Sequence, residues 1–77
     1  MLLLDKNMET FEILDVVVLT EALPALKLRK GELGTIVECL DKDVFLVEFA
    51  DSKGVTYSMP VINASSLMKV YYEPVAA

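Results

Sequence analysis

Two β-rich runs joined by a short polar link constrain this chain more than any other feature. Residues 34–40 read Gly-Thr-Ile-Val-Glu-Cys-Leu, residues 44–49 read Val-Phe-Leu-Val-Glu-Phe, and Asp41-Lys42-Asp43 lies between them. β-branched and aromatic runs on either side of so short a link specify an antiparallel hairpin. Alternation in the second run puts Phe45, Val47 and Phe49 on one face, with Val44, Leu46 and Glu48 on the other. The Phe/Val/Phe face is the expected core. The first run is less regular, because Ile36 and Cys39 are apolar on opposite parities. A β-bulge near Val37 reconciles them. On this reading Cys39 is a small buried hydrophobe, and Glu38 and Glu48 face each other across the hairpin.

The remaining segments are short. The β-branched run Val16-Val17-Val18 within residues 15–20 argues for a strand, and Phe11 and Leu14, three apart, for a turn before it. Pro24, Gly31 and Gly34 break residues 20–33 into pieces too short for an independent helix. That stretch reads as a long loop with a single turn at 25–27. The competing reading, a small α+β domain with a helix at residues 19–30, is weakened by Pro24. Asp51-Ser52-Lys53-Gly54 is a turn, residues 55–60 a strand with Pro60 marking its end, and Asn63-Ala64-Ser65-Ser66 one capped turn of 3₁₀ helix. Residues 67–71 form the last strand. The expectation is an all-β chain: a small five-stranded SH3-like barrel with one short 3₁₀ turn before the last strand. Residues 11–71 form that one domain, with tails at 1–10 and 72–77.

Composition narrows the chemistry. There is no His and one Cys, so no intrachain disulfide forms and no Cys-based zinc cluster assembles. The commonest general base is missing as well. No nucleophile, tuned acid/base pair or metal-ligand spacing stands out, and Asp41 and Asp43 read as ordinary turn residues. The chain is therefore expected to be noncatalytic and to need no cofactor. Twelve acidic against seven basic residues give a net charge of −5, which disfavours nucleic acid and anionic membranes. Met1-Leu2-Leu3-Leu4 stops at Asp5, short of a signal-peptide core, and the run at 16–19 is too short to span a bilayer. A cytoplasmic location is expected.

Two sets of residues remain as binding candidates. Leu46 sits where a half-exposed strand normally carries a polar residue, and Tyr57, Tyr71 and Tyr72 are amphipathic residues typical of contact surfaces. Leu2–Leu4, Met68 and Val75 add apolar area. Together they point to another protein, or a second copy of the chain, as partner. Lys27, Arg29 and Lys30 form the alternative, a nucleic-acid-binding loop, although three charges supply little of a phosphate-driven affinity.

A longer pattern carries a resemblance. Phe11-Glu12-Ile13-Leu14-Asp15-Val16-Val17-Val18-Leu19, Leu23-Pro24 and Leu28-Arg29-Lys30-Gly31-Glu32-Leu33-Gly34-Thr35-Ile36-Val37-Glu38 follow one another. With Val47-Glu48-Phe49 and Thr56-Tyr57 downstream, the chain resembles a small bacterial domain-of-unknown-function family, frequent in cyanobacteria. The likeness covers residues 11–70. It implies an SH3-like barrel and carries no catalytic residue across. It also implies association with a neighbouring small protein, in the manner of toxin–antitoxin or immunity pairs. The Gly-x-x-Gly-Thr-Ile-Val step is similar to the KOW motif of ribosomal and transcription factors, which implies the nucleic-acid alternative. It is also similar to small SH3-like subunits of photosynthetic electron-transfer complexes. An acidic electron carrier as partner is disfavoured, since both fields would be negative.

Overall fold

The computed structural model describes residues 10–71; the expected tails apart from Thr10, with Leu2–Leu4, Tyr72 and Val75, lie outside the described residues. Strand β1, Val16–Leu19, is the β-branched run. The expected turn precedes it: the Glu12 N–H donates to Asp15 Oδ2 (2.7 Å) and the Asp15 N–H to the Glu12 carbonyl (3.1 Å). Leu14 takes a left-handed φ of 78°, which turns its N–H onto the Ile36 carbonyl at 2.7 Å.

No α-helix forms at residues 19–30. The chain makes a 3₁₀ turn at Pro24–Leu26, ended by the left-handed Lys27. Leu23 and Leu28 bond each other's carbonyls across it at 2.9 and 3.2 Å. Pro24 at the start and a left-handed residue at the end leave room for one turn and no more.

The hairpin is strand β2, Leu33–Asp41, and strand β3, Val44–Ala50. Its link is two residues, Lys42 and Asp43, since Asp41 still registers with Val44. The register shifts between Ile36 and Glu38, so Val37 is the extra residue of the expected bulge, and shifts again between Cys39 and Asp41. Glu38 pairs with Leu46 and Glu48 with Thr35. The two glutamates are therefore not opposite one another: the bulge sets Glu38 on the same outward face as Glu48, but opposite Leu46, two residues short of it.

Along the other edge of β3 lie two strands where one was expected. Strand β4, Thr56–Ser58, pairs with Phe49 and Ala50, and strand β5, Val61–Asn63, pairs with Val44, Phe45 and Leu46. Pro60 has no N–H to donate and interrupts the ladder, yet its carbonyl accepts from the Val47 N–H at 3.0 Å. The second 3₁₀ turn, Ala64–Ser66, forms as read, with the Asn63 side chain accepting from the Ser65 N–H at 3.1 Å. It delivers strand β6, Leu67–Lys69, to the free edge of β1.

The result is all-β: six antiparallel strands in the order β4-β3-β2-β1-β6, with β5 also on β3. Among the described residues no strand pairing joins β6 to β5 or β4, so the sheet is open. It is nonetheless curved, since strands from its different ends share one core. Val17, Leu19, Leu28, Ile36, Phe45, Val47, Phe49, Ile62 and Leu67 form a single buried cluster, with Phe11, Leu23 and Ala64 against it. Gly34 belongs to this packing. A Cβ there would lie 2.7 Å from Val47 Cγ1 and 2.9 Å from Phe49 Cε1. Cys39 departs from expectation. It registers with Phe45, but β2 is exposed from Glu38 onward, and the thiol is exposed with it. At that end β2 runs past the core, although Phe45 beside it on β3 is still buried.

Candidate functional site

Register assigns each strand residue to a face, because directly opposed residues point the same way. The outward side of the sheet carries Val16 and Val18 from β1, Leu33 and Thr35 from β2, and Leu46 and Glu48 from β3. It also carries Val61 from β5 and Met68 from β6. Val18 stands between Met68 and Leu33, Thr35 between Val16 and Glu48, and Leu46 between Glu38 and Val61. Sheets with one solvated face usually place polar residues there. Here Leu33 and Val61 are each 57% exposed, Met68 51% and Val16 41%, while Val18 and Leu46 are half-buried. A shallow open depression lies on this side, lined by Val16, Leu33, Gly34, Thr35, Glu48 and Ala50.

The charged strand residues at outward positions have one sign. Glu38, Asp41 and Glu48 all occupy outward register positions. Glu48 accepts a hydrogen bond from the Thr56 hydroxyl, and Asp41 Oδ1 accepts from the Lys42 N–H at 2.7 Å. Among the described strand residues the one cation, Lys69, registers with the inward Val17 and pairs with Asp15 at 3.2 Å. Desolvation works against the Lys69 charge, but the hydrogen bond and charge of Asp15 outweigh it and hold its pKa above the usual lysine value.

The sequence-selected residues occupy separate parts of the sheet. Leu46 lies on the outward face as expected. Tyr57, at edge strand β4, donates its hydroxyl to Glu32 Oε1 at 2.5 Å, a bond that ties β4 to the start of β2 across β3. That hydroxyl, followed by the Arg29 N–H on the other carboxylate oxygen at 2.6 Å, holds the Glu32 pKa below its ordinary value. The same bond to Glu32 raises the pKa of Tyr57. Tyr71 follows β6 and is highly exposed, with Lys69 Nζ 5.4 Å from its ring centroid. Tyr72 lies outside the described residues.

Lys27, Arg29 and Lys30 are all exposed on the loop before β2, held there because Leu28 between them is buried at 2% exposure. Val16, Val18, Leu33 and Val61 were not selected from the sequence, although alternation against Val17, Leu19 and Gly34 could have found the first three. Val61 could not be found so, because β5 was hidden behind Pro60. Among the described residues no group of three or more His, Cys, Asp or Glu side chains is placed to hold a metal ion, and no helix is long and apolar enough to cross a membrane.

No curated protein and no solved structure matches this chain. One family model does: Domain of unknown function (DUF4926) matches residues 13–69, from the turn before β1 to the last residue of β6. That span takes in every strand and the whole of the outward face, and the chain belongs to the DUF4926 family.

Proposed function

We propose that this chain is a noncatalytic protein–protein interaction module of the bacterial cytoplasm, built on an SH3-like barrel that stays open. In this reading the turn at Ala64–Ser66 brings β5 and β6 end to end, where a closed barrel would hydrogen-bond its last strands. The observation that carries the functional reading is the outward face, where Val16, Leu33, Val61 and Met68 are exposed at register positions that normally hold polar side chains. The partner is a neighbouring toxin-like protein or a larger complex of which this is a small subunit.

The alternative is a KOW-type nucleic-acid module acting through Lys27, Arg29 and Lys30. The net charge of −5 opposes it. One titration series separates the two. Wild type, Leu46→Asp, Tyr57→Asp and the triple Lys27→Ala/Arg29→Ala/Lys30→Ala variant are titrated against total RNA and against the product of the adjacent gene, at two salt concentrations. Interaction through the outward face requires that Leu46→Asp weaken protein binding with folding intact, while the basic triple variant binds normally. Salt-sensitive RNA binding lost only in the triple variant would reject the first reading.

A further inference from the structure

We propose that the outward face of the sheet docks a cationic apolar segment: a partner strand or helix whose apolar side chains are flanked by lysine or arginine. The proposal rests on the interaction reading above and specifies the chemistry of its partner. Two features of the face carry it. The first is the apolar row Met68–Val18–Leu33, with Val16 beside it, crossing three strands without a polar residue. The second is the sign of the charged strand residues on the same face: Glu48 lies in the next row, opposite Thr35, and Glu38 in the row after it, opposite Leu46, while Lys69 lies inward and is paired with Asp15.

Covering such a face desolvates the carboxylates at its margin, and a charge left without a counterpart at an interface is costly. A neutral or acidic partner leaves Glu38 and Glu48 in that position. A second copy of this chain does the same, setting one net charge of −5 against another. A partner carrying lysine or arginine beside its apolar residues pairs them instead.

The test uses the ¹⁵N-labelled full chain, titrated with three synthetic nonapeptides: alternating Leu/Lys, alternating Leu/Glu and alternating Ser/Lys. The Leu/Lys peptide is expected to shift the amides of Val16, Val18, Leu33 and Met68, and to bind at least about tenfold tighter than either of the others. Glu38→Lys, on an exposed position, should weaken it by about the same factor, as should Met68→Asp, with the spectrum of each free variant confirming its fold. Equal binding of Leu/Glu and Leu/Lys at this face would overturn the charge requirement and leave the interaction reading standing. Shifts confined to residues 27–30, or no shift on the outward face with any peptide, would overturn both.

Discussion

At the level of single residues the tightest constraint is Gly34. Its missing side chain lets β2 pass 2.7 Å from Val47 Cγ1, measured from where a Cβ would stand, with the Glu48 carbonyl 3.1 Å away. Val47 and Phe49 are wholly buried and have nowhere to move. Gly34→Ala should therefore cost about 1–3 kcal/mol in a urea titration, and an unchanged midpoint would show that β2 can shift outward. Phe49→Ala, which empties the same region, should cost about 3–5 kcal/mol.

Cys39 tests the opposite end of the hairpin. Being exposed, it should react with a thiol reagent in the native protein without prior unfolding, whereas protection until denaturation would put it in the core. The Tyr57–Glu32 bond predicts a pH signature. The Glu32 carboxyl is held below its ordinary 4.5 and the Tyr57 hydroxyl above its ordinary 10.0. Folding gains from this pair between those values, loses the gain as pH falls through the depressed Glu32 value, and loses it again as pH rises through the raised Tyr57 value. Melting curves of wild type and Tyr57→Phe should accordingly differ most near neutrality and converge at both extremes. The pair is exposed, so the difference is small; a constant offset across the range would exclude the bond.

Among the elements, the hairpin, the Val37 bulge and the turn capped by Asn63 were legible because each depends on neighbours in sequence: alternation, a parity conflict, a capping amide. What escaped depends on distant partners. Residues 56–63 look like one strand and a loop until β3 is seen to pair with both sides of Pro60, so β5 could not be read locally. Leu28, alone among basic residues, gives no local sign that it fills the core; Leu23 and the curved sheet make its site. Cys39 fits an apolar parity and registers with buried Phe45, but β2 has run past its pairing with β1 there and is exposed. Parity does not report where a strand leaves the core. The same distinction predicts amide exchange. β2 and β3, paired on both sides near Ile36 and Val47, should exchange slowest, with the edge strands β4 and β6 faster. Slowest exchange in β6 would mean that its edge is covered.

For the molecule as a whole, one face of the sheet builds the fold, and the other is the face proposed above to meet a partner. The inward face holds every buried hydrophobic residue of the strands and draws the sheet into a curve around them. The outward face is apolar without being buried and is acidic at its margin. Which residues were candidates for contact was only partly readable in advance. Leu46 followed from alternation, but the Met68–Val18–Leu33 row exists only once β1 is flanked by β2 and β6. Of the tyrosines chosen for their type, the two described ones lie at opposite edges, Tyr57 on β4 and Tyr71 just after β6. The most direct test of this division is the urea unfolding of the double variant Leu33→Ser/Met68→Ser. If the outward face is free in the isolated chain, losing both side chains costs less than about 1 kcal/mol in total, as for surface substitutions elsewhere. A loss of about 4 kcal/mol or more, the scale of two buried large-to-small changes, would show that the chain covers this face itself and would contradict the account.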